Sequence, residues 1–414
     1  MRILMLSWEY PPHIIGGLGR HVTDLTDALA QIGVEVHIIT PQLREGSRYE
    51  RTAQGVHIHR VAVPPIADRM LFPLTQELNV ALKHAALDVQ HRTGGFDLIH
   101  AHDWLAAQAG VALKHLCHLP LLATIHATER GRHQGHLTND LSRQIDRQER
   151  SLTDEAQRVI ACSHYMAHEV HTFFDTPYEK IDIVPNGVVV RPSPFQNDED
   201  RLVFRRRFVR DDQPLVFSVG RIVYEKGLHL LIDAWPRVLA QFPRAHLVIA
   251  GAGGYLDALR QRAQDAGVTA HVTFAGRISD EERDRLYHAA DAAVFPSLYE
   301  PFGIVALEAM AARCPVIVAH TGGLAEVVTL HETGLTVYPN NVDSLVWGIT
   351  HTLAHPHWSQ ARARNAFHDV CTRYNWHTIA QTTLDIYHRV SDEWRQVQRS
   401  AQAVPAFQFA ATYG

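Results

Sequence analysis

The order of apolar runs and glycine-bearing loops, passed through twice, most constrains how this chain can fold. Ile3–Leu6 is an apolar run of strand length, and Trp8 to Gly19 is rich in Gly and Pro. From His21 to Gln31 the spacing predicts a helix, with Val22, Leu25, Leu29 and Ile32 on one face. Gly33 closes it and Val34–Thr40 is the next strand. Such a strand–helix–strand unit joins parallel strands by a right-handed crossover. Further units follow: Phe96–His100 before a helix from Asp103, Leu121–Ile125 before a loop, Ala156–Cys162 before a helix from Ser163, and a late strand Ile181–Val184. A second cycle opens at Leu215–Val219, followed by the loop Gly220 to Gly227 and a helix Leu228–Gln241. Strands at Ala245–Ala250, His271–Ala275, Asp291–Phe295 and Pro315–Val318 then alternate with helices at Tyr255–Ala266, Asp280–Ala289 and from Gly303. The reading is an α/β chain of two doubly wound, Rossmann-like domains, which suits 414 residues. We place the first at 1–188, a linker near Asn186–Pro194, and the second at 195–375. Residues 376–399 form a last helix with Ile379, Leu384, Ile386 and Tyr387 as its apolar stripe, and 400–414 a disordered tail.

Charge and composition narrow the function. A net charge of −5 and a pI near 6.6 provide no basic field, which argues against a nucleic-acid partner. No apolar stretch approaches the roughly 18 residues of a membrane span, and the opening apolar run is too short for a signal segment. Cys117, Cys162, Cys314 and Cys371 form no Cys-x-x-Cys pair, so four buried free thiols in a reducing cytoplasm are expected. Histidine is abundant, at 29 residues. The pairs His57/His59 and His100/His102 and the set His164/His168/His171 invite a metal. However, they lack the glutamate of a His-Glu-x-x-His motif and an obvious third ligand, so the expectation is no metal site.

The chemistry-bearing residues cluster after strands, where doubly wound sheets bind ligands. In Tyr299-Glu300-Pro301-Phe302-Gly303-Ile304-Val305-Ala306-Leu307-Glu308, Glu300 falls on a strand-to-helix loop. The Gly303 and Ile304 amides open a helix, and unpaired amides at a helix start suit a phosphate. Glu308 lies more than a turn further on, where it can reach a sugar hydroxyl. In Gly220-Arg221-Ile222-Val223-Tyr224-Glu225-Lys226-Gly227, a guanidinium and an ammonium five residues apart can clamp a departing diphosphate. Gly16 and Gly17 allow close backbone approach to a diphosphate. Asp103, in His100-Ala101-His102-Asp103-Trp104, is either a site carboxylate or only a helix N-cap.

Together these stretches resemble the retaining glycosyltransferases of the GT-B fold, whose two Rossmann-like domains face a cleft. Glu300/Glu308 resembles their E-x7-E motif, Arg221/Lys226-Gly227 their Arg-x4-Lys-Gly, and Gly322-Gly323 with Glu326 their downstream Gly-Gly-x3-Glu, which closes the pocket wall. The opening Ser7-Trp8-Glu9-Tyr10-Pro11-Pro12 and Gly16-Gly17-Leu18-Gly19 resemble bacterial and archaeal glycogen synthases and glycosyltransferase family 4. Ile15 stands where plant and enterobacterial-type synthases carry a lysine, which favours family 4. The resemblance implies that Glu300 binds the sugar 3-hydroxyl and supports an oxocarbenium-like state. It implies that Gly303 and Ile304 hold the distal phosphate, Glu308 the ribose, Arg221 and Lys226 the leaving diphosphate, and the Ile278 segment the nucleobase. His126 would touch the donor sugar, and Asp103 would lie beside glucose and acceptor. The last helix would cross back to the first domain.

The activity so implied is a metal- and cofactor-independent hexosyl transfer from a nucleotide-sugar, with ADP-glucose and an α-1,4-glucan as in glycogen synthase. Within the family the alternatives are glucose 1-phosphate as acceptor, giving maltose 1-phosphate, or a UDP- or GDP-sugar with a polyol, lipid or cell-surface oligosaccharide. An inactive glucan-binding protein would lack Arg221, Lys226 or Glu300, and all three are present. Donor base, acceptor, oligomeric state and regulation stay open at this point.

Overall fold

The computed structural model describes residues 1–63 and 71–403. Fourteen strands are described: β1 (Arg2–Leu6), β2 (Glu35–Pro41), β3 (Tyr49–Arg51), β4 (His57–Val61), β5 (Leu98–His102), β6 (Leu121–Ile125), β7 (Arg158–Ala161), β8 (Ile181–Ile183), β9 (Leu215–Val219), β10 (His246–Ala250), β11 (Val272–Gly276), β12 (Ala292–Phe295), β13 (Val316–Ala319) and β14 (Leu335–Val337). They form one sheet ordered β3-β4-β2-β1-β5-β6-β7-β8 and another ordered β11-β10-β9-β12-β13-β14. Every pairing is parallel except β3 with β4. This is the α/β architecture of two Rossmann-like sheets that the strand–helix alternation predicts.

The central strands are covered on both faces and are mostly apolar, whereas the edge strand β3, Tyr49-Glu50-Arg51, is polar and largely exposed. In β1, Leu4 and Leu6 join one core with Ile99, Leu121 and Ala123. Ile3 and Met5 join another with Val22, Leu25 and Leu29 of the first helix. The first of these cores continues into the second domain through Phe217, Phe295 and Phe302. The last helix, Trp376–Ala403, lays Trp376, Ile379, Ala380, Ile386 and Tyr387 into the core of the first sheet. Ser400 to Ala403, expected in a structureless tail, continue this helix, and 404–414 lie outside the described residues.

Other expectations change in detail. The first helix begins at Gly17, not His21. The Glu9 carboxylate accepts the amides of Ile15 (2.8 Å) and Gly16 (3.1 Å), so a side chain from the preceding loop fixes the turn that leads into the helix at Gly17. A helix at Leu71–Thr93 was not anticipated, although Leu78, Leu82, Ala86 and Val89 form its buried stripe. Only Cys162 and Cys314 are buried. Cys117 is half-buried, and Cys371 is exposed because it falls outside the Arg362, Ala363, Ala366 and Val370 stripe of the helix Pro356–Arg373. Among the described residues no helix is long and apolar enough to cross a membrane.

Candidate functional site

Each sheet reverses its winding once, beside β1 and β5 in the first and beside β9 and β12 in the second. A crevice opens at the carboxyl ends of strands at such a switch. The sequence-predicted residues follow these strands or their neighbours: Gly16 and Gly17 after β1, Asp103 after β5, His126 after β6, Arg221 and Lys226 after β9, Ile278 after β11, and Glu300 to Glu308 after β12.

In the second domain, Lys226 Nζ donates to Glu300 Oε2 at 2.7 Å, and Ser297 Oγ donates to the same oxygen at 3.2 Å. The Leu298 amide donates to the Glu225 carbonyl (2.8 Å), stitching the two loops together. Arg221 is set apart: its side chain is 47% exposed and has only a loose contact with Glu225, at 3.5 Å. Gly303 sits at φ 108, a left-handed turn that starts the helix Ile304–Ala311; a β-carbon there would lie 2.4 Å from Leu324 Cδ2. The Gly323 amide donates to the Glu300 carbonyl at 2.9 Å, and a β-carbon on Gly323 would lie 2.4 Å from Phe302 Cα. Only glycine allows that approach. Glu308 is enclosed by Arg283 Nε (3.2 Å), the Tyr287 hydroxyl (3.4 Å) and Arg20 Nε (3.8 Å). Arg20 comes from the first domain and also forks onto Asp280 at 2.5 and 3.3 Å.

In the first domain, Asp103 is buried and sits at φ 56. Its side chain caps nothing. Instead Oδ1 accepts the His126 amide at 2.7 Å and fixes where that residue leaves β6. Burial pushes the Asp103 carboxyl up to about 6, against the opposing pull of the His126 amide and the Arg132 charge. His126 Nε2 meets His102 Nδ1 at 3.1 Å, and its ring lies edge-on to His21 at 4.7 Å between centroids. Burial lowers the His126 imidazole to about 3 and lowers His21 and His102 in the same way, so these rings are neutral. The two walls touch where Gly17 faces Ile304: a β-carbon on Gly17 would lie 3.1 Å from Ile304 Cδ1.

The joint between the walls is polar and specific. The Glu326 carboxylate accepts the His164 and Tyr165 amides at 2.9 and 2.8 Å, so it caps a first-domain helix (His164–Phe174) and does not simply close a pocket wall. Ser163 Oγ donates to the Pro301 carbonyl at 2.7 Å, and the Tyr299 hydroxyl donates to Glu169 at 3.0 Å. These contacts hold both ends of the Glu300 turn against the first domain. Beside the joint, a cavity of about 350 Å³ is lined by residues of both domains, among them Arg20, His21, Asp24, Ile304, Glu308 and Trp376.

Residues 15–191 match the family model Glycosyltransferase Family 4, and residues 200–369 match Glycosyl transferases group 1. An uncharacterized glycosyltransferase of Methanocaldococcus jannaschii is 38% identical over 396 residues, 94% of this chain and 98% of that one. A glycogen synthase of Mycobacterium tuberculosis is 37% identical over 413 residues, 96% and 97% of the two chains. The chain belongs to glycosyltransferase family 4. Among solved structures, sucrose-phosphate synthase of Thermosynechococcus elongatus superposes with a TM-score of 0.79 at 25% identity, covering 94% of this chain and 98% of that one. The two sheets thus have the GT-B arrangement expected of a glycogen synthase-like family 4 transferase.

In this family 4 transferase, the structure joins Lys226 to Glu300, Asp103 to His126 and Gly17 to Ile304. Ile278 is only partly buried, on the segment between β11 and the helix Asp280–Ala289. The sequence reading missed Arg20 and His21, one residue after another on the first helix, and gave no structural role to Glu9. Their signal was proximity to the glycine turn, which is too slight to read alone. Of the His164/His168/His171 set, His168 bonds the Tyr178 hydroxyl (3.0 Å) and His171 the Thr176 carbonyl (2.9 Å), while His164 is bonded through its backbone amide to Glu326 (2.9 Å). His100 bridges the Tyr387 hydroxyl (2.9 Å) and Thr124 Oγ1 (2.7 Å) as a buried structural residue.

Proposed function

We propose that this transferase moves glucose from a nucleotide-sugar, ADP-glucose foremost, onto an α-1,4-glucan with retention of configuration, in the manner of a glycogen synthase. The observation that carries the reading is the Lys226–Glu300 pair beside the helix start at Gly303–Ile304, facing the first-domain wall at Gly17. The likeness to a glycogen synthase along the whole chain supports the choice of donor and acceptor.

Departure of the nucleoside diphosphate builds negative charge on the phosphate oxygens. Arg221, Lys226 and the Gly303 and Ile304 amides are the groups to stabilise it, in place of a metal or other cofactor. Glu300, relieved of its lysine by the diphosphate, takes the sugar 3-hydroxyl and supports positive charge on the sugar ring. Glu308 takes the ribose. His126, positioned by Asp103, presents its carbonyl and ring to the donor sugar. The incoming hydroxyl approaches on the face of the leaving group and passes its proton to the departing phosphate, so the protein contributes orientation and charge. A phosphate-bearing acceptor such as glucose 1-phosphate is a second reading. It is favoured by Arg132, whose one ion-pair contact among the described residues is Glu129 at 3.7 Å, whereas Arg130 is spent on Asp146 at 2.6 and 3.0 Å.

Profiling ADP-, UDP- and GDP-sugars with glycogen, maltose or glucose 1-phosphate, with nucleotide release as readout, tests both. Glucan-dependent ADP release, abolished in Glu300→Ala, is expected. Release that requires glucose 1-phosphate establishes the second reading. Release with neither acceptor class removes the glucan assignment, and binding of glucan without turnover would indicate an inactive binding protein.

A further inference from the structure

The three imidazoles at the floor of the first-domain wall form an array that hydrogen bonding leaves incomplete. One nitrogen from each of His21, His102 and His126 lies within 4.8 Å of the other two. His102 and His126 share a single 3.1 Å contact. Buried within the same group, His102 Nε2 has no hydrogen-bond partner among the described residues, and His21 Nδ1 has none beyond a loose approach to the Asn186 side chain. Buried ring nitrogens are ordinarily satisfied, as both nitrogens of His100 are, two residues before His102 on β5. His21 also lines the 350 Å³ cavity between the domains, which supplies a route to the array from solvent.

We propose that His21, His102 and His126 form a binding site for a borderline divalent transition-metal ion of the zinc type, with its fourth position open to the cleft. Three neutral imidazoles are the donor set such an ion takes, at about 2.0–2.1 Å each. Tetrahedral ligand nitrogens stand about 3.3 Å apart on that geometry; His102 Nδ1 and His126 Nε2 stand 3.1 Å apart and would exchange their shared hydrogen bond for the ion, with the His21 nitrogen, within 4.8 Å of both, turning in as the third ligand. The buried Asp103 carboxylate, one bond from the His126 backbone, supplies negative charge behind the site. Because His126 belongs to the proposed donor-sugar site, the ion inhibits turnover and takes no part in it. That consequence rests on the functional reading above, but binding of the ion does not.

A second group, Glu35, His37 and His57, lies on β2 and β4. There the His37 and His57 rings stack in parallel, 4.3 Å apart with 2° between planes, so their lone pairs run side by side without converging. Both His37 nitrogens have partners, Glu35 (3.0 Å) and His59 (3.1 Å), so, unlike His21 and His102, this histidine has no nitrogen left over. It serves as the internal control.

The test uses the full chain, stripped of metal and titrated with Co²⁺ alone and then Zn²⁺ in competition. The visible spectrum of the protein-bound cobalt is the readout, independent of activity. The expected result is one equivalent with intense tetrahedral bands, weakened about tenfold or more in both His21→Gln and His102→Gln and unchanged in His57→Gln. Weak octahedral-type bands, affinity indifferent to His21→Gln, or loss in His57→Gln alone would overturn it. Should the buried substitutions unfold the chain, zinc-edge X-ray absorption on the unaltered protein decides. Three imidazole nitrogens at about 2.0 Å support the site, and a mostly oxygen shell removes it. If zinc binds as described but leaves nucleotide release untouched, the donor-sugar role of His126 fails and the metal site stands.

Discussion

The two walls of the cleft are built in opposite ways. The second-domain wall presents charge: Arg221 and Lys226 stand partly in solvent, and Lys226 makes one short ion pair with the buried Glu300. The first-domain wall presents position: Asp103, His102 and His21 are buried, the two imidazoles are neutral, and they act by fixing where His126 and the Gly17 turn stand. A diphosphate leaving group requires counter-charge, which stays adaptable only if lightly held. A sugar and a hydroxyl acceptor require orientation, which is secure only if packed. Mutations on the first kind of wall should therefore change rate without stability, and those on the second should change both.

The largest effect is expected at the charged wall. Arg221→Ala and Glu300→Gln should each lower kcat by about 10²–10³ while leaving the melting temperature within about 2 °C of the parent, because Arg221 is exposed and glutamine keeps an oxygen and the hydrogen bonding of the buried Glu300. Calorimetry beside a nucleotide-release assay checks this. A drop in stability matching the loss of rate would erase the contrast between the walls.

On the packed wall, Asp103→Ala and Asp103→Asn separate position from charge. The alanine removes the acceptor of the His126 amide, and we expect a loss of about 10–100-fold in kcat with about 1–3 kcal/mol of stability. Asparagine keeps an oxygen at the same place and should restore most of both. If asparagine is as damaging as alanine, Asp103 acts through its charge and the positional account of this wall is wrong. Gly323→Ala probes the seam between the walls, since its β-carbon would meet Pro301 and Phe302 backbone atoms at 2.4 Å. An overpacking cost of about 1–3 kcal/mol is expected by denaturant titration, with a smaller loss of rate as the Glu300 turn is displaced.

The same contrast explains what could be read from the sequence. Charged loop residues after apolar strands are visible as motifs, so the second-domain wall and the parallel sheets were legible from Leu215–Val219, Arg221, Lys226 and Glu300 onward. The packed wall depends on pairings across long chain separations, such as Asp103 with His126 and Glu326 with the His164–Tyr165 amides. No local periodicity encodes these. Asp103 looked equally like an N-cap because an aspartate before a helical run has both meanings; only its left-handed backbone and its bond to His126 separate them. The early start of the first helix was hidden for a similar reason, since the carboxylate that fixes the turn before it, Glu9, lies eight residues before Gly17 in a loop of its own.

The smallest effect belongs to the seam itself, where Arg20 stands between two carboxylates that respond oppositely to pH. Asp24 is pushed up to about 6 by burial, with Arg20 and Arg191 only partly compensating. Below an unfolded value near 4 both states hold its proton and it costs nothing. As pH rises from there through 6 the unfolded chain ionises first, so stability falls across that window and the penalty then stays constant. Asp24→Asn should therefore raise stability at pH 7 by about 1–2 kcal/mol and do nothing at pH 3.5. At Asp280 burial also pushes upward, but the Arg20 fork and the Arg283 charge prevail and bring the carboxyl to about 2. Its contribution is complete above about 4 and is lost as pH falls toward 2, so Asp280→Asn should lower stability at pH 7 and converge on the parent in acid. Thermal melts from pH 3 to 8 on both variants resolve the two signs. Two curves of the same sign would mean that Arg20 does not hold the walls together through Asp280.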